Sequence, residues 1–230
     1  MIKVKARRAA VTATGVVLLS ASAMTSGSAT QPVDHEVLPS VAVADQRPEI
    51  QSLSVGQRQE LQREIDATLT SHGGVQISAN EIAWNGGEPT LTFPLPGEDE
   101  APQSSPQALR QKGIKATDVE PLADWGGCPA GKDDNRWYCF YDEADFKGRR
   151  LQWNWAHCSG GIRFGDYGFD NKTTGWVNTT PNKSKVGMVV TVYDGWFTGS
   201  LWVERPWTKV SKVDSFHNNK ASSFKACRIS

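Results

Sequence analysis

The sequence predicts an all-β fold in its C-terminal part: a sandwich made from two copies of one strand–turn–strand unit. Two observations support this prediction. The segment Tyr141–Gly148 (YDEADFKG) recurs as Tyr193–Gly199 (YDGWFTG), and both contain an aromatic residue, a short polar spacer, Phe, one variable residue and Gly. The segment Asp170–Gly175 (DNKTTG) likewise recurs as Asn218–Ser223 (NNKASS). Two signals that recur in the same order indicate an internal duplication.

Residues typical of β-strands flank each aromatic segment. Trp137–Phe140 precede the first segment and Leu151–Trp153 follow it, while Val189–Val192 and Leu201–Val203 flank the second. Each aromatic segment is therefore predicted to be the turn between two strands. Its Gly permits a positive φ or a close backbone approach, and the aromatic side chains can cover the bare backbone.

This order of motifs resembles the βγ-crystallin Greek key, in which the aromatic turn is followed by [N/D]-[N/D]-x-x-[S/T]-S. NNKASS matches that pattern at every position, whereas DNKTTG has Gly175 where Ser is expected. The resemblance covers residues 126–230 and implies two Greek keys packed as a sandwich of roughly eight strands. Cys128–Gly131 (CPAG) and Asp166–Phe169 (DYGF) resemble a narrower group, the secreted peptidase inhibitors of the Streptomyces metalloproteinase inhibitor type.

Residues 1–29 are typical of a secretory signal peptide. Basic residues at the start precede the apolar stretch Ala9–Ser22, which is too short to span a bilayer. We therefore expect a secreted, extracellular protein with no membrane span after signal cleavage.

Residues 30–96 predict a helix followed by a hairpin. Ser54 and Gln57 have the spacing of a capping box at the start of the helix. The apolar stripe of the helix comprises Leu61, Ile65 and Leu69. The predicted hairpin strands are Val75–Ile82 and Thr90–Phe93, which flank Asn85–Gly87. A segment of this size is too small for a good core of its own, so we expect it to pack on something else or to be marginally folded.

Residues 97–124 contain three consecutive acidic residues and three prolines, which favour an extended, protease-sensitive linker. A short helical turn is predicted within it at Ala108–Lys112. Residues 30–124 are consistent with either of two roles: a propeptide-like segment removed after export, or a retained accessory segment. Residues 125–230 then form the crystallin-like domain.

The charge is divided between the parts of the chain. Residues 30–124 carry six basic and fifteen acidic residues, residues 125–230 carry fifteen basic and ten acidic residues, and the formal net charge of the chain is +0. Oppositely charged segments attract each other. The small basic excess predicts no nucleic-acid binding, because no basic face alternates with stacking aromatic residues.

All four cysteines lie in residues 125–230, at Cys128, Cys139, Cys158 and Cys227. An even number confined to one small exported domain predicts disulfides. Four cysteines allow three pairings. We predict Cys128–Cys139, which would join the segment before the first strand to that strand, and Cys158–Cys227, which would join the first repeat to the chain end.

The resemblance also implies a calcium site. In crystallins of this pattern the two [N/D]-[N/D]-x-x-[S/T]-S loops lie side by side, and each supplies a third-position carbonyl and a fifth-position hydroxyl, oxygen ligands that calcium accepts. Transferred to this chain, the ligands and their loop-shaping neighbours are Asp170, Lys172, Thr174, Asn218, Lys220 and Ser222. Two lysines and few carboxylates predict weak binding. Alternatively, the hydroxyls only stabilise the loops, as in ST-turns.

The sequence contains no G-x-S-x-G, H-E-x-x-H or P-loop motif, so it does not indicate an enzyme. The resemblance implies a monomeric inhibitor of an extracellular protease of the metalloprotease class. The exposed loop predicted to enter the protease cleft comprises Thr180, Pro181, Asn182 and Lys183. The alternatives are a calcium-binding extracellular module with a structural or cell-wall-binding role, and a small secreted antimicrobial or toxin.

Overall fold

The computed structural model describes residues 45–120, 123–131 and 137–230. The predicted signal peptide, residues 1–29, lies outside these ranges, so export stays a prediction. Within the described ranges, none of the helices combines the length and the apolar character that a bilayer span requires.

The first helices of the described chain are α1 (Pro48–Gln51) and α2 (Val55–His72). The predicted capping box at the start of α2 is confirmed. The Gln57 amide donates to Ser54 Oγ at 3.2 Å, and the Ser54 amide donates to Gln57 Oε1 at 2.9 Å. Two orphan amides of the first turn are thereby satisfied. The predicted apolar stripe turns inward, since Leu61 and Ile65 are buried.

Three short strands follow: β1 (Val75–Ser78), β2 (Glu81–Ala83) and β3 (Thr90–Thr92). The predicted hairpin forms between β2 and β3, but the strand predicted over Val75–Ile82 is divided by a turn at Ala79 and Asn80. Polar partners hold this turn: the Ala79 amide donates to Asp45 Oδ2 at 3.1 Å, and Asn80 Nδ2 donates to the Phe93 carbonyl at 2.8 Å. The result is an antiparallel three-stranded meander.

The chain then forms α3 (Pro106–Gln111), which overlaps the predicted helical turn, followed by β4 (Val119–Glu120) and β5 (Ala130–Gly131). The strands of the first repeat are β6 (Tyr138–Tyr141), β7 (Arg150–Trp153), β8 (His157–Arg163) and β9 (Gly175–Asn178). Those of the second repeat are β10 (Met188–Tyr193), β11 (Ser200–Glu204), β12 (Thr208–Val210) and β13 (Ser223–Arg228).

Each repeat contributes its third strand to the sheet of the other. Among the described residues, sheet one has the order β1-β2-β3-β7-β6-β9-β12, sheet two has the order β11-β10-β13-β8, and β4 pairs with β5. The first repeat therefore places β8 in sheet two, and the second places β12 in sheet one. The order second strand, first strand, fourth strand, exchanged third strand is the same in both sheets. This reciprocal exchange confirms the predicted all-β sandwich of two Greek-key units.

Aromatic side chains from both repeats fill the space between the sheets. The Trp153 ring stacks on Tyr138 at a centroid distance of 6.0 Å and meets Phe224 edge-on at 4.8 Å. Phe140 and Phe164 form a further edge contact at 4.8 Å. Large rings bury much apolar area per residue, and edge-to-face contacts suit their charge distribution. Because Phe224 comes from the second repeat, neither repeat completes this core alone.

The N-terminal meander extends sheet one. β3 pairs antiparallel with β7, and Leu91 lies opposite Leu151. The buried Leu61 and Ile65 of α2 belong to the same apolar cluster as Tyr138 of β6. A segment predicted to be too small for its own core therefore shares the core of the double Greek key.

Residues 97–120, which the sequence indicates as a linker, pack on the outer face of sheet one. Leu109 and Ile114 are buried in a cluster that also contains Tyr141 and Val177. The apolar residues within this acidic stretch have a surface to bury against, which composition alone does not reveal. Whether residues 30–124 are removed after export stays a prediction.

Arg150 of β7 joins this covering segment to the sheet. Its side chain is fully buried. The guanidinium donates to the carbonyls of Ala101 at 3.1 Å, Pro102 at 2.8 Å and Gly126 at 3.3 Å, and to Gln152 Oε1 at 2.8 Å. A buried cation needs such partners, because its hydration is lost. Since three of the four acceptors are backbone carbonyls outside the sheet, Arg150 fixes the path of the segment that covers it.

Glu204 of β11 occupies in the second repeat the place that Trp153 of β7 occupies in the first, as the pairing registers show. It is fully buried. Trp202 Nε1 donates to Glu204 Oε1 at 3.1 Å, while Glu204 Oε2 has no hydrogen-bond partner. Burial raises the pKa of Glu204 well above its usual value, and the weaker effect of the Trp202 bond does not offset this. The fold therefore favours the protonated form of this carboxyl.

Replacing Arg150 by Met is expected to lower the free energy of unfolding by about 3 kcal/mol, because three carbonyls, two of them fully buried, lose their donor. Chemical denaturation followed by fluorescence measures this loss. The exposed Arg63, changed to Met on α2, is the control and should alter stability by less than about 0.5 kcal/mol. Equal effects at the two sites would contradict the role given to Arg150.

Replacing Glu204 by Gln should stabilise the protein at neutral pH. Above the ordinary Glu pKa of 4.5, the unfolded state releases the Glu204 proton while the folded state retains it. The free energy of unfolding of the wild type therefore falls as the pH rises above 4.5. Gln keeps the acceptor for Trp202 and does not titrate. The Tm advantage of Glu204→Gln should therefore grow from pH 4 to pH 7. A difference in Tm between variant and wild type that stays the same from pH 4 to pH 7 would refute this.

Candidate functional site

The two loops that carry the second motif, residues 170–175 and 218–223, lie side by side. The Asn171 amide donates to the Ala221 carbonyl at 3.0 Å, and the Asn219 amide donates to the Thr173 carbonyl at 3.3 Å. Asn171 and Asn219 both adopt a left-handed conformation, with φ of 53° and 55°. Asn tolerates this region better than most residues. The equivalent positions of the two repeats therefore make reciprocal bonds.

Side chains reinforce this pairing. Thr174 Oγ1 donates to Asn219 Oδ1 at 3.2 Å, and Ser222 Oγ lies 3.3 Å from Asn171 Oδ1. Sequence reasoning assigned no role to Asn171 or Asn219, although both stand at the second position of the pattern. Residues at that position turn the backbone through a left-handed conformation and bridge the two loops with their amide groups.

Each loop is also tied to the aromatic hairpin of its own repeat. The Thr174 amide donates to the Tyr141 carbonyl at 2.8 Å, and the Ser222 amide donates to the Tyr193 carbonyl at 2.9 Å. Loop and hairpin of one repeat thus form one unit, and the paired loops bring the two units together.

The structure explains why Gly175 stands where the motif has Ser. In the second repeat, Ser223 Oγ accepts from the Phe197 amide at 3.1 Å and so pins the hairpin. A Cβ at Gly175 would lie 2.9 Å from the Ser211 carbonyl oxygen, which is too close. That same carbonyl accepts from the Asp145 amide at 2.8 Å. In the first repeat, the backbone of the other repeat therefore replaces the missing serine hydroxyl.

Two of the predicted calcium-site residues, Asp170 and Ser222, line one open cleft of about 380 Å³. The other residues of the cleft are Arg163, Gly165, Asp166, Gly195 and Trp196. The Arg163 guanidinium lies 3.8 Å from the centre of the Trp196 ring. A cation in this cleft would meet two carboxylates and one guanidinium, so its attraction is partly cancelled.

The remaining predicted residues lie around the other loop contact. Thr174 Oγ1 is 3.1 Å from the Asp142 carbonyl and 3.5 Å from that of Lys172. Asn218 Oδ1 is buried and has no hydrogen-bond partner. The Lys220 ammonium lies 4.1 Å from the centre of the Phe216 ring, a cation–π contact. The unsatisfied Asn218 oxygen and the Thr174 hydroxyl are both neutral oxygens of the type that calcium takes.

Carboxylates are few in this arrangement. Within the described ranges, no group of three or more His, Cys, Asp or Glu side chains is placed to hold a metal ion. A calcium ion at the paired loops would therefore depend mainly on neutral oxygens, which favours weak binding.

The predicted inhibitory loop is only partly accessible. Thr180 is fully buried, and its Oγ1 accepts from the Met188 amide at 3.0 Å. Asn182 and Lys183 are exposed, and Pro181 is half-buried. Thr180 has no surface to present to a protease because its hydroxyl satisfies the start of β10, so the accessible part of this loop begins after it.

Both disulfides join segments of the body. Cys128 is bonded to Cys139 of β6, and Cys158 of β8 is bonded to Cys227 of β13, with sequence separations of 11 and 69 residues. In the chain-entropy model, loops of these lengths stabilise the fold by about 3 and about 4 kcal/mol. Disulfides of this kind are typical of an oxidising compartment such as the cell exterior.

Comparison with known proteins gives matches only among solved structures. Neither a family model nor a curated protein matches this chain. A βγ-crystallin domain solved in connection with the evolution of the eye lens fold is 14% identical, with a TM-score of 0.34 over 43% of this chain and 91% of that chain. A βγ-crystallin domain from Clostridium beijerinckii is 22% identical, with a TM-score of 0.30 over 39% of this chain and 94% of that chain.

The N-terminal domain of Protein S is also similar, at 17% identity and a TM-score of 0.31 over 41% of this chain and 97% of that chain. All of these scores are low, so the fold is assigned from the strand order and register described above. That order gives residues 137–230 the double Greek-key arrangement implied by the βγ-crystallin motifs.

Proposed function

We propose that this chain is a secreted inhibitor of metallo-endopeptidases. The proposal rests first on the resemblance carried by Cys128–Gly131 and Asp166–Phe169. A protein inhibitor must present a rigid surface, because ordering a mobile segment on binding costs free energy. It must also resist cleavage by its own target.

The observation that carries the proposal is the distribution of the two cross-links. Cys128–Cys139 fixes the segment leading into sheet one, and Cys158–Cys227 fixes the outermost strand of sheet two to its neighbour. Each sheet is thus held at one place by a covalent bond. Between the sheets lies the packed aromatic core. A body constrained in this way offers surface segments in one conformation.

The full secreted chain should inhibit a thermolysin-like metallo-endopeptidase, with peptide hydrolysis falling in proportion to added protein up to a 1:1 end point. The matched control is the same protein reduced and alkylated, which should lose inhibition because the constrained surface is released. Titration with a fluorogenic peptide measures both. If the protease keeps its full rate when the native chain is present in molar excess, this function is excluded.

A second candidate function is that of a calcium-stabilised extracellular module. The specific observation in its favour is the buried, unpartnered Asn218 Oδ1 beside the paired loops. An ion that binds only the folded protein stabilises it by mass action.

Calcium in hundredfold excess over its Kd should add about 2.7 kcal/mol of stability, which raises the Tm by several degrees. Thermal melts with calcium and with chelator test this. The double variant Thr174→Val and Ser222→Ala removes both loop hydroxyls and should abolish the shift, whereas Thr198→Val, outside the loops, should keep it. An unchanged midpoint for the native chain counts against the calcium function.

A further inference from the structure

Strand β8 forms an open edge of sheet two. It is the last strand in the order β11-β10-β13-β8, so its outer backbone edge has no strand partner within residues 45–120, 123–131 and 137–230. An unpaired edge presents free amide and carbonyl groups, to which another extended segment can add.

The middle of β8 bulges away from β13. His157 lies opposite Ala226 and Ile162 opposite Phe224, so the four residues 158–161 stand against the single residue Lys225. Extra residues in one strand bend it and re-aim its backbone. Cys158, Ser159 and Gly160 are exposed, in agreement with a segment that projects from the sheet.

Both ends of this bulge are fixed. At its start, Cys158 is bonded to Cys227. At its end, Gly161 has a φ of 63° and lies against the Phe197 ring, which a Cβ at that position would overlap. The Lys225 ammonium lies 4.5 Å from the centre of the same ring. The projecting segment is therefore held in one conformation.

The side chains of the bulge are small, so a second backbone can approach it closely. A Cβ at Gly160 would meet nothing within 4 Å, which shows open space at that residue. The two strands β8 and β13 carry Arg163, Lys225 and Arg228 and no acidic residue. This charge suits a partner with a net negative cleft.

We propose that residues Cys158–Gly161 are the segment that enters the cleft of the target metallo-endopeptidase, bound there as an added β-strand. This inference rests on the inhibitor function proposed above and names its contact surface. Endopeptidase clefts take their peptide substrates as strands, and β8 is a cross-linked strand with one unpaired edge, whose bulge turns at Gly161.

The loop predicted from sequence has a different geometry. The Pro181 carbonyl accepts from the Lys183 amide at 2.8 Å, and the Lys183 carbonyl accepts from the Gly187 amide at 2.8 Å. These bonds describe a compact turn in which the carbonyls of Pro181 and Lys183 are already engaged.

The test uses the full chain and three variants that each add one negative charge at an exposed position. Gly160→Asp should raise the inhibition constant against a thermolysin-like protease at least about tenfold, through repulsion and crowding in the cleft. The matched control Asn182→Asp should change it less than about twofold. Ser159→Asp repeats the test at the neighbouring residue in case Gly160→Asp lowers the Tm.

Hydrogen exchange provides a second measurement. In the complex, the amides of residues 159–161 should gain protection and those of 182–185 should not. The reverse pattern, or loss of inhibition in Asn182→Asp with full inhibition in both bulge variants, would overturn the assignment to β8 and leave the inhibitor function standing. Failure of the native chain to inhibit would remove both.

Discussion

The exchange of the third strand between the two repeats is the constraint on which the rest of the structure depends. β8 lies in sheet two and β12 in sheet one, so neither repeat can form a complete sheet without the other. The aromatic core follows from this exchange, because Phe224 of one repeat closes over Trp153 of the other. The reciprocal bonds of Asn171 and Asn219 follow as well, since the exchanged strands bring the two loops together. Folding of the two repeats is expected to be cooperative for this reason.

The N-terminal part of the chain is joined to this body by the same kinds of force. β3 continues sheet one, and residues 97–120 cover its outer face. The covering segment is acidic and the body is basic, but attraction between exposed charges is weak. The charge difference therefore does not determine where the segment packs. Specific contacts decide the path instead. Arg150 places a buried cation where backbone carbonyls of Ala101, Pro102 and Gly126 must converge on it.

Sequence patterns predicted those features that repeat or that depend on neighbouring residues. The duplication, the capping box of Ser54 and Gln57 and the hairpin at residues 85–87 are all local or periodic, and each is visible in the chain itself. Long-range contacts were not predictable in the same way. Nothing local distinguishes the packed segment 97–120 from a free linker, because its partners Tyr141, Arg150 and Val177 all lie later in the chain. The exposure predicted for Thr180 is wrong for a different reason: its hydroxyl accepts from the amide of Met188, eight residues later, and no pattern in the loop indicates this bond.

The two repeats share a topology, but their surroundings differ. In sheet one, the edge of β7 is occupied by β3 and the outer face is covered by the chain itself. In sheet two, within the described residues, β8 and β11 remain edges. The copies have diverged accordingly: Gly175 admits the backbone of the other repeat, whereas Ser223 pins its own hairpin. By the equivalence of the repeats, the edge of β7 corresponds to that of β11, and the edge of β12 corresponds to that of β8. Within the described residues, β3 fills the edge of β7, while β12 ends sheet one. The edge of β8 differs from the other open edges in its covalent link to the neighbouring strand, so an extended segment could add there to a fixed backbone without displacing any described residue.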